Sequence, residues 1–448
     1  MSSYWLEHAW LPAGVADGVV VEDADGRIAT VTSGVRRPPA GAETLRGIVL
    51  PGLANAHSHA FHRGLRGRTH GDGGTFWTWR ERMYALAARL DPDSYRQLAT
   101  AVYTEMAAAG ISCVGEFHYL HHAPGGEPYD EPNAMGLALV DAAAAAGIRI
   151  TLLDTCYLAG GLDDAGHSPL EGPQRRFGDR DASGWRTRIE RLTVTGATPL
   201  PGHARLGAAI HSVRGVPADQ LPLVASAASD HGLPLHVHLS EQPAENEAAR
   251  AHYGCTPAEL LARSGALGPH TTAVHAIHLT DTDIELLGAT RTAICACPTT
   301  EADLADGIGP FPALQAAGSP LCLGSDQHVA IDLLGEARRL EQHQRLASGR
   351  RGTFAPDELV GVATETGHRA LGWDDAGRIE PGARTDLVAI DLASPRTAGA
   401  DPAQIAMCAA ASDVTDVIVD GQPVVRDRQH RLGNVGALLA EVVSVRGC

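Results

Sequence analysis

The sequence predicts an α/β fold: a (β/α)8 TIM barrel carrying a small discontinuous β-sandwich domain built from both termini. Three observations lead there. Eight short apolar runs alternate with helical stretches through the middle of the 448-residue chain. Polar residues capable of chemistry fall at the C-terminal ends of those runs, where such a barrel carries its active site. Both ends of the chain are β-rich in a different style, with short runs joined by Asp-Gly turns.

In chain order, Val19-Val20-Val21 and the run 28–31 flank Asp25-Gly26, a two-residue hairpin signal. The eight barrel-strand candidates are 48–53, 111–117, 148–155, 205–211, 234–240, 272–278, 292–298 and 320–326. A helix is expected with Asp91 as N-cap, Pro92 at its first position and Gly110 as C-cap. Another follows Pro217, and the stretch 160–173 reads as a surface loop. The run 386–390, then Val417-Ile418-Val419, then Asp420-Gly421 before Val424-Val425, repeats the style of the N-terminus. The expected division is 1–53 with 375–448 for the β-sandwich and 54–374 for the barrel. A doubly wound open sheet is the alternative, but it announces itself with a glycine-rich first turn, and here that turn is histidine-rich.

Composition narrows the function. The formal charge is −17 and no basic patch stands out, which argues against a nucleic-acid partner. There is no basic-plus-apolar leader and no apolar run approaches a membrane span, so a cytoplasmic protein with no membrane partner is expected. A homodimer is compatible with this composition. The eight cysteines are scattered, several within apolar runs, which points to buried thiols rather than a disulfide framework. All 36 basic residues are arginine. The absence of lysine excludes Schiff-base chemistry, a pyridoxal phosphate anchor and a Walker-type phosphate site.

The chemistry concentrates in Asn55-Ala56-His57-Ser58-His59. Spacing two on a strand places both imidazoles on one face, within reach of one metal ion. His238 and Asp326 close later runs and complete a three-nitrogen, one-oxygen set suited to one divalent ion, zinc first and ferrous iron second. An open position on such an ion lowers the pKa of water to about 7. Asp326 is both ligand and candidate base. Glu241, three residues after His238, can carry a proton to a departing nitrogen, and His275 can orient the water. Taken alone, Glu241 reads equally as a helix N-terminal carboxylate; a hydrogen-bonded core histidine is the lesser alternative for His275. His236 shares parity with His238 but lies deeper, and is expected to be structural. His278 has parity opposite to His275 and is expected outside the ligand set. A two-metal version needs a bridging ligand, commonly a carboxylated lysine, so a single ion is expected.

These residues make the chain resemble the amidohydrolase superfamily over nearly its whole length, closest to its aminohydrolases acting on C–N bonds. Within it the chain is similar to the N-formimino-L-glutamate deiminases of histidine degradation. The segments that carry this are His57-Ser58-His59-Ala60-Phe61, Phe76-Trp77-Thr78-Trp79-Arg80-Glu81, Glu116-Phe117-His118-Tyr119, His211-Ser212-Val213-Arg214, His238-Leu239-Ser240-Glu241-Gln242-Pro243 and Cys297-Pro298-Thr299-Thr300-Glu301-Ala302. Gly377-Arg378-Ile379-Glu380-Pro381-Gly382 looks like the family's return into its small β-domain. The resemblance implies His57, His59, His238 and Asp326 as metal ligands, with Glu241 and His275 handling protons. It implies Arg80, Tyr119, His211 and Arg214 as holders of a small anionic substrate, where arginine offers bidentate geometry to carboxylates. His62 stands in the substrate pocket where the family usually has glutamine, and Gln327 follows Asp326 where serine is usual. The implied reaction is hydrolytic deimination of N-formimino-L-glutamate to N-formyl-L-glutamate and ammonia. Deamination of a heterocycle such as guanine or a modified adenosine is the alternative, and a non-enzymatic metal-binding barrel is the remote one.

Overall fold

A computed structural model describes residues 2–70 and 76–445; the side chains of Phe76, Trp77, Ser444 and Val445 lie outside the described residues, and with them part of the tryptophan-arginine segment. The N-terminal strands are β1 (Ser2–Leu11), β2 (Gly14–Ala24), β3 (Arg27–Thr32) and β4 (Glu43–Pro51). The barrel follows with β5 (Leu53–Ser58), β6 (Ile111–His118) and β7 (Arg149–Cys156). A small hairpin, β8 (Gly161–Asp163) with β9 (Gly166–Ser168), interrupts it. The barrel resumes with β10 (Ala204–Ile210), β11 (Leu235–Leu239), β12 (Thr271–His275), β13 (Ala293–Ala296) and β14 (Leu321–Leu323). The C-terminal strands are β15 (Leu387–Ile390), β16 (Val414–Val419), β17 (Gln422–Arg426) and β18 (Gln429–His430).

The eight barrel strands pair in parallel in the order β5-β6-β7-β10-β11-β12-β13-β14. An isolated parallel bridge between Ser58 and Asp326 joins the two ends. Helices cover the outside, so β6 and β7 are buried at every position, as parallel strands packed on both faces must be. The terminal strands form one mixed sheet, β3-β2-β1-β4-β15-β16-β17-β18. Leu6, Val21 and Leu45 from its N-terminal half gather with Leu387 and Ile418 from its C-terminal half in one core. Both Asp-Gly pairs form their hairpins: Asp25 and Gly26 have φ of 55 and 79°, and Asp420 and Gly421 have 48 and 72°, the positive values a type I′ turn requires.

The first barrel strand differs from expectation. The run 48–51 belongs to β4 of the terminal sheet, and the barrel begins at Leu53. Both stretches are buried, so hydropathy does not mark the junction. Gly52 does: a Cβ there would lie 2.3 Å from Ser112 Oγ, so only glycine lets the chain pass between the two sheets at this point. His57 is therefore inside its strand rather than beyond it. The helix after Asp91 runs Pro92–Ala108; Asp91 accepts from the Ser94 amide at 2.7 Å, and Ala109 rather than Gly110 caps the other end. The helix after Pro217 begins only at Leu221. The stretch 160–173 is partly ordered, as β8, β9 and the start of a 3-10 turn, Gly172–Arg176. Arg149 of β7 pins barrel to terminal sheet, pairing with Asp386 and, at 2.9 Å, with Asp420. Among the described residues no helix is long and apolar enough to cross a membrane.

Candidate active site

Three strand ends deliver one cluster of four residues. His57 and His59 come from the end of β5, His238 from β11, and Asp326 from just after β14. His57 Nε2 lies 3.1 Å from His238 Nε2 and 3.4 Å from Asp326 Oδ1; His59 Nε2 lies 3.4 Å from the same oxygen. The tautomers of two imidazoles are set by main-chain carbonyls. His59 Nδ1 donates to Phe117 O and His238 Nδ1 to His211 O, each at 2.9 Å. Both therefore turn bare Nε2 lone pairs inward. Burial keeps these histidines neutral: it lowers His59 to about 3, helped by His57, and holds His57 and His238 below their usual values. Burial would raise Asp326, but hydrogen bonding and charge from His57, with His275 and His59, hold its carboxyl well below the usual range. Neutral imidazoles converging with a carboxylate fit a divalent metal ion.

The backbone around the cluster is strained. Ser240, His275, Ala276, Asp326 and His328 all have positive φ, between 42 and 71°. Non-glycine residues hold this conformation only where the surroundings impose it, and such positions cluster at functional sites.

His275, at the end of β12, reaches Glu241 Oε1 and Asp326 Oδ2 with Nε2, each at 3.8 Å, and Glu301 Oε1 with Nδ1 at 3.5 Å. Burial opposes its charge, but Glu241, Glu301 and Asp326 outweigh it and push His275 up to about 10. Burial also raises Glu241 against the pull of His275 and Arg214. A proton is thus held among Glu241, His275 and Asp326 beside the ligand cluster. Sequence reasoning did not identify Glu301 as the partner of His275; its place in the Pro-Thr-Thr-Glu segment was the available signal.

A small cavity, about 50 Å³, opens on this cluster. Its walls include His59, His238 and Asp326 of the cluster, Glu241 and His275, and His62, Arg80, Tyr119, His211 and Arg214. His57 is fully buried behind them. His62 Nε2 is 3.0 Å from Tyr119 OH. Burial, then Arg214, keeps His211 well below its usual value. Arg214 is not committed to the cavity alone: its Nε donates to Glu245 at 2.8 Å and one Nη to Glu241 at 3.5 Å. Gln327 points elsewhere, donating to Asp303 at 2.8 Å. Tyr84, Tyr157 and Phe177 also line it, and no spacing in the sequence marked them. His236 Nε2 donates to Ala370 O, 2.9 Å away, outside the cluster. The His278 carbonyl accepts from Asn246.

Among the described residues, two groups beyond this cluster converge closely enough to reach one ion. His118, His121 and Asp154 lie close together, but both Asp154 oxygens already accept from Arg188, at 2.8 and 2.9 Å, so a guanidinium fills the place of a cation. His275, Cys297 and Glu301 also converge, but burial holds the Cys297 thiol far above its usual value.

A model of the amidohydrolase family matches residues 48–424, and the chain belongs to that family of hydrolases. Among characterised relatives it is 37% identical to a formimidoylglutamate deiminase from Pseudomonas aeruginosa, covering 96% of each chain. It is 30% identical to an 8-oxoguanine deaminase from the same organism, over 95% of this chain and 93% of that one. The crystal structure of an amidohydrolase from Brucella melitensis superposes over the full length of both chains, with a TM-score of 0.90 and 32% identity.

Proposed function

We infer that the protein hydrolyses N-formimino-L-glutamate to N-formyl-L-glutamate and ammonia. The observation that carries this reading is the joint lining of one cavity by Arg80, Arg214 and the metal-ligand cluster. Two guanidiniums beside hydrogen-bonding His62, Tyr119 and His211 suit a flexible dianion better than a neutral flat ring. The identity to the Pseudomonas deiminase, over nearly all of both chains, supports the same substrate.

His57, His59, His238 and Asp326 would hold one divalent ion, zinc first and ferrous iron second. When bound, it supplies Lewis acidity that makes water nucleophilic at neutral pH. The side chains do the rest. Arg80, Arg214, His211 and Tyr119 fix the carboxylates, which presents the formimino carbon to the cluster. Asp326 accepts a proton from the attacking water. Glu241 gives one to the imino nitrogen, and His275 bridges the two carboxyl groups. The water oxygen bonds to carbon, the bond to the imino nitrogen breaks, and both water protons leave on ammonia.

Deamination of a heterocycle is favoured by one feature, the aromatic wall of Trp79, Tyr84, Tyr157 and Phe177. An ammonia-release screen of N-formimino-L-glutamate, guanine, 8-oxoguanine, cytosine and a modified adenosine decides between them. The first reading expects turnover of the acyclic amidine alone; turnover confined to a purine or pyrimidine would replace it with the second.

A further inference from the structure

The barrel closes where the metal ligands meet. β14 is three residues long, and the chain just after it meets the end of β5 through the bridge between Ser58 and Asp326, with the Ser325 and Asp326 amides donating to His57 O at 3.1 Å and the His59 amide to Asp326 O at 3.3 Å. His57 and His59 lie on one side of this seam and Asp326 on the other. A small error in seam register would separate the cluster into halves.

A chain of buried side chains crosses the seam. Asn55 Nδ2 is 2.7 Å from Ser325 Oγ, and its Oδ1 accepts from the Ser325 amide at 2.9 Å. Ser325 Oγ is 2.9 Å from His328 Nδ1; His328 Nε2 is 3.1 Å from Ser58 Oγ; Ser58 Oγ is 2.7 Å from Glu116 Oε2. The other Glu116 oxygen accepts from the Ala60 amide at 2.6 Å. All five residues are buried.

The protons run one way. The Asn55 amide nitrogen can only donate, so Ser325 Oγ accepts from it and gives its own proton to His328 Nδ1. Glu116 receives the Ser58 hydroxyl proton, so Ser58 must accept from His328 Nε2–H. His328 is thereby fixed as the Nε2–H tautomer, accepting on one side of the seam and donating on the other. Bonds aligned in this sense polarise and strengthen one another, and the low dielectric of the buried seam makes a missing link costly. Glutamate and serine grip the backbone from 58 to 60, and asparagine grips the residue before Asp326. The chain therefore sets the position of both halves of the cluster without touching substrate.

We propose that Asn55, Ser325, His328, Ser58 and Glu116 form a seam clasp, with His328 as the positioning residue that holds the two halves of the ligand cluster at metal-binding spacing. This rests on the metal reading above.

The test is zinc affinity of the full chain, measured by chelator competition at a temperature where every variant is folded. His328→Phe keeps a ring but breaks both links; Ser325→Ala and Ser58→Ala each remove one with little change in shape. Each variant is expected to bind zinc 10- to 100-fold more weakly than the native chain, the loss typical of groups that orient metal ligands. With Co2+ in place of zinc, the visible absorption bands should shift, which a general loss of stability would not produce. Combining Ser325→Ala with Ser58→Ala should cost less than the two separate losses multiplied, because the first break already releases the clasp. If His328→Phe does not fold, the serine variants carry the test. Zinc held equally by native and serine-variant chains, with unchanged cobalt bands, overturns the clasp alone. A native chain that holds no divalent metal overturns the metal reading and the clasp with it.

Discussion

His57 and His238 face one another Nε2 to Nε2 across 3.1 Å, both buried, at the base of the cavity. His238 has spent its Nδ1 proton on the His211 carbonyl, and His59 has spent its own on Phe117. Together with Asp326 Oδ1, they turn more lone pairs toward one point than the protons available can satisfy. A cation resolves the arrangement. Chelation is therefore expected to abolish turnover and lower Tm, because a ligand bound only by the folded state stabilises it by mass action. Elemental analysis of the reactivated enzyme should find about one divalent ion per chain, by the single four-ligand site. Two tightly held ions, both needed for activity, would contradict this.

Asp326 carries two tasks in the proposed reaction, and they can be separated. Asp326→Asn keeps an oxygen for the metal but no longer accepts a proton. Turnover should fall by roughly 10²–10⁴, the usual contribution of acid–base assistance. Metal content must be measured alongside. Near-native turnover with the metal retained would show that Asp326 is not the proton acceptor.

Glu336 offers a pH test away from the cluster. One of its oxygens accepts from the Thr299 amide at 2.8 Å; the other has no partner among the described residues. Burial pushes its carboxyl up to about 8 from an ordinary 4.5. Between those values the folded chain keeps a proton that the unfolded chain has released. The stability this gives is fully present below pH 4.5 and is lost as pH rises through about 8. One such proton contributes a slope of at most about 1.4 kcal/mol per pH unit. Denaturation midpoints of the native chain and Glu336→Gln should therefore diverge in favour of the variant as pH rises through that window. Parallel curves would show that Glu336 is ionised in the folded state.

Period-two spacing made His57 and His59 legible in the sequence, and the ends of later apolar runs exposed His238, His275 and Asp326. Both depend on local order, which a linear pattern preserves. The junction at Gly52 was not legible, because β4 and β5 are apolar and buried on both sides of it. Glu301, Glu116, Ser325 and His328 were missed as partners for a different reason. Their roles come from proximity across strands, and no spacing encodes that Ser58 meets His328 270 positions away. The pairing of Arg214 with Glu245, 31 residues on, was hidden in the same way, and it changes what a substitution there should do.

Arg214 both faces the cavity and partners two carboxylates, Glu245 at 2.8 Å and Glu241 at 3.5 Å. Arg214→Met should therefore act twice. Loss of a charged hydrogen bond to a substrate carboxylate is worth roughly 1.5–3 kcal/mol, about ten- to a hundredfold in KM. Release of Glu241 should also lower kcat, since that carboxyl is the proposed proton donor and its position sets the transfer distance. Glu245 would remain buried beside an apolar side chain, keeping only its contact with the Ser240 amide at 2.9 Å. Removing one partner of a buried pair is strongly destabilising, so Arg214→Met should lower Tm more than the double variant Arg214→Met with Glu245→Gln. If the double variant recovers Tm but not KM, the arginine holds substrate as well as its carboxylate neighbours. Recovery of Tm, kcat and KM together would make Arg214 a structural residue and leave Arg80 as the arginine that reads the substrate.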